Sequence, residues 1–198
     1  MKKHKLFSLL LFVVTSAVAQ NVDVDLLKKI NVGRNKKLDN TFIAITNSAT
    51  PLSLFVPVAI YCQGLEKNDS VTRNKGLVIG ASFFVTTGIT LGMKYGINRE
   101  RPFATYSFIE KETSGGSPSF PSGHASEAFS TATSLSLAFP KWYVIAPAYL
   151  WACSVGYSRM DLGVHYPSDV LVGAAVGAGS AFVCYKVNHW LHNRKARK

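Results

Sequence analysis

The sequence predicts an all-α, membrane-embedded bundle of about five or six helices. Apolar residues make up 47% of the 198 residues and charged residues only 17%, whereas a soluble domain carries about 25% charged residues. The apolar residues also gather into five separate runs, and the length allows one domain with one sizeable core. A compact soluble bundle is the alternative, because short runs containing Gly, Ser and Thr suit close helix packing in either setting.

The first 20 residues have the pattern of a secretory signal. Three lysines within the first five residues precede an apolar run at residues 6–14, and Ala-Val-Ala at residues 17–19 fits a cleavage site. We therefore predict a signal peptide at residues 1–19, followed by a single domain at residues 20–198. The alternative is an uncleaved first membrane helix, although the run is shorter than the ~20 residues that a span needs.

The next stretch, residues 22–46, alternates apolar and basic residues. This pattern predicts amphipathic helical pieces at a membrane surface, or equally an ordinary packed surface helix. The five apolar runs then predict the helices of the bundle. They cover approximately residues 51–62, 76–93, 125–139, 142–157 and 170–187.

Loop charge predicts the orientation of the bundle. Basic residues lie between the first two runs, between the third and fourth, and after the last. If the chain crosses back and forth, these places share one side, and the positive-inside rule makes that side cytoplasmic. Together with the signal, this predicts a bacterial inner-membrane protein whose opposite end faces the periplasm.

Charge and cysteine usage exclude two other classes of function. The net charge is +11, but the basic residues are spread between apolar runs rather than clustered on one face, so nucleic-acid binding is not predicted. Cys62, Cys153 and Cys184 show no metal-ligand spacing. Their odd number predicts buried small apolar residues rather than disulfides.

Three short motifs contain the residues capable of chemistry, and the predicted topology brings all of them to the non-cytoplasmic end. Pro121-Ser122-Gly123-His124 opens the third run, so the unpaired backbone N–H groups of a helix N-terminus are available there to bind an anion. Taken alone, a simple helix cap explains this motif equally well. The other two motifs are Lys94 with Arg101-Pro102, and Ser158-Arg159 with His165 and Asp169.

The third motif places an imidazole and a carboxylate four residues apart. Asp169 can accept from one nitrogen of His165 and leave the other as a nucleophile, although an Asp also favours a helix start by its charge alone. Lys94, Arg101 and Arg159 can neutralise phosphate oxygens, or they are solvated side chains at helix ends. Three neighbouring charges are interpreted as surface residues: Arg99, Glu100 and Asp161.

Taken together, the order and spacing of these motifs resemble the three-part signature of the type 2 phosphatidic acid phosphatase superfamily. The resemblance implies that His165 attacks phosphorus and forms a phosphohistidine, that Asp169 orients it, and that His124 is the general acid. It also implies that phosphate is bound by Lys94, Arg101, Ser122, the Gly123 amide and Arg159. No metal and no cofactor are predicted.

The predicted substrate is a phosphorylated lipid, lipid A or undecaprenyl diphosphate above all, reached from the bilayer. Two alternatives stay open. The chain is a soluble periplasmic acid phosphatase of the same superfamily, or it is a catalytically inactive lipid-binding membrane protein. The loop at residues 103–120 either shapes the choice of head group or is a plain surface connection. The oligomeric state is left without a prediction.

Overall fold

The computed structural model describes residues 21–196, and the predicted signal peptide lies outside this range. Every regular element in the described range is helical, so the all-α prediction is confirmed. The first helix, α1, covers residues 21–32. A 3-10 turn at Lys36–Leu38 follows, and then α2 (Asp39–Asn47), α3 (Ala49–Glu66), α4 (Ser70–Ile97), α5 (Pro102–Thr105), α6 (Gly123–Ala138), α7 (Trp142–Asp161) and α8 (Pro167–Ala196).

The five apolar runs correspond to α3, α4, α6, α7 and α8, and polar residues lengthen most of these helices beyond the runs. At the start of α4, for example, the Asp69 carboxylate accepts a hydrogen bond from the Val71 N–H at 2.9 Å. This cap satisfies a backbone donor that the helix leaves free, so the helix begins six residues before the run.

Helix α6 is the centre of the bundle and touches α3, α4, α7 and α8. Its side chains are small and mostly buried, and hydroxyls link it to its neighbours, as in the bond from Thr86 to Ser130 at 2.9 Å. Gly177 of α8 lies against the Ser126 carbonyl, where a Cβ atom would collide. Small residues therefore allow the close backbone approach that membrane bundles use.

By length and composition, three stretches of the described residues are apolar enough to cross a membrane: Lys36–Glu66, Ser70–Thr105 and Pro167–Arg194. Large apolar side chains such as Phe84, Leu150 and Leu171 are exposed on the outer faces of the bundle. This belt of apolar surface is expected of a membrane protein, because lipid rather than water surrounds it.

The prediction that the cysteines are buried is wrong. Cys62 and Cys153 are exposed, and Cys184 is half-buried, all three as free thiols. The reason is that apolar residues of a membrane bundle also cover its lipid-facing side, so an apolar run does not by itself indicate burial.

The helices alternate in direction, which determines where the motifs lie. The ends of α4 and α7 and the starts of α6 and α8 meet at one end of the bundle, where α1 and α2 also pack. The connections at residues 67–69 and 139–141 lie at the other end. All three motifs therefore share one end, as the hydropathy pattern predicted.

Candidate active site

A cavity of about 290 Å³ opens at the end of the bundle where the motifs meet. Its wall contains six of the eight residues that the sequence singled out: Lys94, Arg101, Gly123, His124, Arg159 and His165. The other two, Ser122 and Asp169, are completely buried next to this wall. The Ser122 N–H donates to the Asp169 carbonyl at 2.9 Å, which joins the start of α6 to the start of α8.

His165 lies in the connection between α7 and α8 and is 1% exposed. Its Nδ1 faces the Asp169 carboxylate at 3.4 Å, and its Nε2 lies 3.4 Å from the Arg101 guanidinium. A guanidinium can only donate hydrogen bonds, so this geometry favours the tautomer with the proton on Nδ1. Nε2 then carries a lone pair, and His165 lines the cavity.

Asp169 is fixed from several directions. The Ser119 hydroxyl donates to its Oδ2 at 2.5 Å, and the Tyr166 N–H donates to the same oxygen at 3.0 Å. Arg99 donates to Oδ1 at 2.7 Å. A carboxylate with this many donors is held in one orientation, and it fixes the plane of the His165 ring in turn.

Three cations surround the cavity, and we call Lys94, Arg101 and Arg159 the cavity cations. Each donates to a backbone carbonyl of the loop before α6. Lys94 donates to Pro118 at 2.6 Å, Arg101 to Ser117 at 2.7 Å, and Arg159 to Ser114 at 3.3 Å. The predicted loop at residues 103–120 is thus tied to the cations and supplies part of the cavity wall.

The cavity cations have no carboxylate within ion-pairing distance among the described residues. Arg159 is 2% exposed and its Nε has no hydrogen-bond partner in the described range. The Ser122 hydroxyl is likewise buried without a partner there. Buried charge and buried hydroxyl groups are costly when unpaired, so this cluster has the properties of an anion-binding site.

Burial and the cations act together on the two imidazoles. In the first turn of α6, burial and repulsion by Arg159, Arg101 and Lys94 together lower the pKa of His124 to about 4. Burial lowers the pKa of His165 to about 3, although Asp169 partly opposes this shift. Both rings are therefore neutral near pH 7 in the free protein.

The interpretation of Arg99 as a surface charge is wrong. Its guanidinium stacks on the Tyr166 ring at 3.8 Å and bridges Asp169 to Asp23 of α1, with the second contact at 2.8 Å. Asp23 also accepts from the Ser168 N–H at 2.8 Å, at the start of α8. No local pattern indicates this arrangement, because the partners are 76 and 145 residues apart in the chain.

Asp161 is also not a surface residue, because it is 2% exposed at the end of α7. Its carbonyl accepts from the Asn31 amide of α1 at 2.8 Å, and the same amide binds the Glu110 backbone in both directions. Arg34 follows α1 and pairs with Glu110 and Glu112 at 2.8 and 2.9 Å. We call this set (Asn31, Arg34, Glu110 and Glu112) the outer junction, and it fastens the loop to α1.

The sequence also gave no indication of Glu127, which lines the cavity one helical turn after His124. The Thr50 hydroxyl of α3 donates to its carboxylate at 2.6 Å. Among residues 21–196, no three His, Cys, Asp or Glu side chains are grouped so as to hold a metal ion.

Comparison with known proteins places the chain among phosphatases. A family model described as the PAP2 superfamily matches residues 75–193. The lipid A 4'-phosphatase of Bacteroides thetaiotaomicron is 36% identical over 97 residues, which cover 49% of this chain and 43% of that protein. The chain thus matches less than half the length of that relative.

Two further proteins are similar over more of their length. The undecaprenyl-diphosphatase of Sulfolobus acidocaldarius is 29% identical over 191 residues, covering 90% of this chain and 88% of that protein. The crystal structure of a transmembrane PAP2 type phosphatidylglycerolphosphate phosphatase from Bacillus subtilis superposes with a TM-score of 0.75 at 25% identity. That match covers 91% of this chain and 93% of the other. The predicted phosphatase activity agrees with the names of these relatives.

Proposed function

Because the chain belongs to the PAP2 superfamily, we propose that it is a phosphatase that hydrolyses a phosphorylated lipid without a metal ion, with His165 as the nucleophile. One observation carries the proposal. Three cations that have no carboxylate partner among residues 21–196 surround an imidazole that Asp169 holds in place. An oriented imidazole beside an anion-binding site is the combination that phosphoryl transfer to histidine requires.

The phosphate of the substrate lies between the cavity cations, whose three charges match its three non-bridging oxygens. Arg101 and Arg159 bind oxygens through their guanidinium N–H groups, and Lys94 contributes a point charge. The unpaired Ser122 hydroxyl and the Gly123 amide at the start of α6 complete the site. Because the cations already neutralise the phosphoryl group, the reaction needs no metal ion.

The first chemical step transfers the phosphoryl group to His165. The lone pair of Nε2 forms a P–N bond while the P–O bond to the leaving group breaks. His124 donates its proton to the leaving oxygen, so that the leaving group departs as an alcohol from a monoester or as a lipid monophosphate from a diphosphate. Asp169 stabilises the positive charge that develops on the His165 ring through Nδ1. Burial of both groups makes this charge interaction stronger than it is in water.

The second step releases phosphate. His124, now neutral, accepts a proton from a water molecule as the water oxygen attacks phosphorus. The P–N bond breaks, its electron pair returns to Nε2 of His165, and inorganic phosphate leaves. One imidazole therefore serves as acid in the first step and as base in the second. In the free protein its pKa is about 4, and the negative charge of the bound phosphate offsets the cavity cations and raises this pKa toward the ordinary value of about 6.5, so that His124 carries the proton it donates.

The proposed substrate is a lipid, because the cavity lies at the end of a bundle whose outer faces are apolar. A lipid A phosphatase and an undecaprenyl-diphosphatase are among the relatives, so both lipids are proposed substrates. The three candidate spans speak against the soluble alternative.

We place the protein in the bacterial inner membrane with the cavity facing the periplasm. Lys67, Arg73, Lys75 and Lys141 lie at the end opposite the cavity, and the positive-inside rule favours the cytoplasm for that end. Trp142 is largely exposed at the same end, as expected for a side chain at a membrane interface.

The test is phosphate release by the purified protein in detergent and chelator. His165→Ala is expected to abolish turnover, and His189→Ala, at an exposed histidine on α8, is the matched control with wild-type turnover. A radiolabelled phosphoenzyme that is labile in acid and absent from His165→Ala identifies the intermediate. Turnover by His165→Ala removes the nucleophile assignment, and binding of lipid phosphate without turnover by the wild type supports the inactive lipid-binding alternative.

A further inference from the structure

The cavity continues into the bundle beyond the cations, and the side chains there carry no positive charge. Thr87 and Thr90 of α4 and Glu127 of α6 line this part, which we call the leaving-group layer. Thr90 precedes Lys94 by four residues, and Glu127 follows His124 by three. Because α4 ends and α6 begins at the cavity end, the layer lies about one turn, or ~5 Å, deeper than the cations.

Two hydroxyls of this layer have no partner within the described residues. Thr90 is 4% exposed, and its Oγ1, like that of Thr87, is buried without a hydrogen bond there. Ser82, in the same helix, donates to the carbonyl four residues earlier, Val78, at 2.8 Å. Helical hydroxyls ordinarily find such a partner, so Thr87 and Thr90 are available to a group inside the cavity.

Glu127 is the acidic part of the layer. Its Oε2 accepts from Thr50 at 2.6 Å, while no hydrogen bond from the described protein reaches Oε1. None of the described cations pairs with this carboxyl. An ionisable group inside a membrane bundle and without a counterion is expected to contact the substrate.

The position of the layer identifies the part of the substrate that it meets. His124 donates its proton to the leaving oxygen, and Glu127 lies one turn further along the same helix face. The layer is therefore next to the leaving group, on the side away from the three cavity cations.

We propose that the leaving-group layer binds a hydroxyl-bearing leaving group, so that the preferred substrate is a phosphomonoester of a lipid-linked sugar or glycerol. This inference rests on the proposed function. Hydroxyls of such a group donate to Glu127 and accept from Thr90. In a polyprenyl diphosphate the leaving group is a second phosphate, which would find a carboxyl in the layer instead of a cation.

The experiment compares phosphate release from three substrates by the full chain in detergent: lipid A, phosphatidylglycerol phosphate and undecaprenyl diphosphate. We expect kcat/KM for lipid A or for the glycerol lipid to exceed that for the diphosphate at least tenfold. The monoester with the higher kcat/KM shows whether the hydroxyls that the layer binds belong to a sugar or to glycerol.

Two variants test the layer itself. Thr90→Val removes one hydroxyl at constant shape and should lower kcat/KM for the preferred monoester about tenfold, more than for the diphosphate. Glu127→Gln should raise the rate with diphosphate relative to monoester, since it removes the negative charge. Thr86→Val is the matched control: Thr86 is buried in the same helix but bonded to Ser130 and outside the cavity wall, so selectivity should not change.

The outcomes separate this inference from the proposed function. Preference for undecaprenyl diphosphate, with Thr90→Val and Glu127→Gln altering all three substrates equally, overturns the inference and leaves the phosphatase intact. Release of phosphate from none of the three lipids by folded wild type overturns both. Preference for a monoester that either variant selectively weakens supports the inference.

Discussion

Two arginines at the same end of the bundle are both removed from solvent, yet their surroundings are opposite. Arg34 donates to three carboxylates, those of Asp39, Glu110 and Glu112, at 2.8 to 3.1 Å. Arg159 contacts the Thr46 hydroxyl and one carbonyl and keeps its Nε without a partner in the described residues. The first arginine is neutralised by the protein itself, and the second is left for a ligand.

The comparison extends to the regions around them. The outer junction pairs donors with acceptors and fastens α1 to the loop, so its charges contribute to structure. The cavity contains positive charge that no carboxylate of the described residues neutralises, which is unfavourable for folding unless an anion binds. Burial of a cation together with the lack of a carboxylate partner thus indicates a functional residue better than burial alone does.

The largest expected effect comes from removing the unpaired charge. Arg159→Met should lower kcat/KM for phosphate release about 1,000-fold or more, because a cation that stabilises the transition state is lost. The thermal midpoint of the free protein should stay the same or rise, since a desolvated charge has been removed. Loss of stability with retained activity would contradict the assignment of Arg159 to phosphate binding.

The next effect concerns Arg99, which bridges Asp23 of α1 to Asp169. Arg99→Met should lower kcat about 100-fold with little change in KM, because Asp169 loses a charged donor while the phosphate contacts remain. Asp23→Asn should produce a smaller decrease of the same kind. Glu112→Gln, in the outer junction, is the control with wild-type kcat. An increase in KM alone would argue against a positioning role.

The sequence predicted six residues of the cavity wall and Asp169, which faces His165, but not Arg99 and Asp23, which hold Asp169. Lys94, His124 and His165 belong to motifs whose spacing is visible along the chain, and the alternation of apolar runs brings those motifs to one end. The prediction that Arg99 is a surface residue is wrong because its partner Asp23 belongs to α1, and nothing in the sequence indicates that α1 packs at the cavity end of the bundle. The prediction that Cys153 is buried is wrong for a related reason, since hydropathy does not separate lipid-facing from buried positions.

The position of Glu127 in the cavity also could not be predicted from the sequence, although Glu127 belongs to a predicted helix. Its run was recognised, but a single acid within an apolar run has no spacing that relates it to Thr50 or to the cavity. Only the packing of α3 and α4 against α6 reveals that it faces the cavity. Contacts between helices that are distant in sequence therefore account for most of what the motifs did not predict.

In the outer junction the expected effect is on stability. Arg34→Met should lower the free energy of unfolding by about 2 kcal/mol, because a fully buried guanidinium with several charged hydrogen bonds is lost. Lys36→Gln is the control: Lys36 also pairs with Glu110 but is mostly exposed, so its thermal midpoint should not move. Thermal denaturation in detergent measures both. Loss of turnover by Arg34→Met at temperatures where it is folded would contradict a structural role.

The effect that is smallest at neutral pH is a pH dependence that reports the unpaired charge. His124 has a pKa of about 4 in the free protein, below its ordinary value of about 6.5. Between these values the unfolded chain binds a proton that the folded protein does not. The free energy of unfolding therefore rises with pH in this window. It decreases as the pH falls from 6.5 toward 4, by at most about 1.4 kcal/mol per pH unit for this one group.

His124→Gln should reduce this slope, measured as the thermal midpoint between pH 7 and 4.5. Arg159→Met should reduce it as well, because the charge that repels a protonated His124 most strongly disappears and the pKa of His124 returns toward its ordinary value. Saturating vanadate should do the same in the wild type, since a bound anion offsets the cavity cations and lets His124 take up the proton that the general acid needs. If His124→Gln reduces the slope while Arg159→Met and vanadate leave it unchanged, burial alone depresses this pKa, and the contrast between the two arginines does not extend to the imidazole. An unchanged slope in His124→Gln would mean that His124 does not cause the pH dependence.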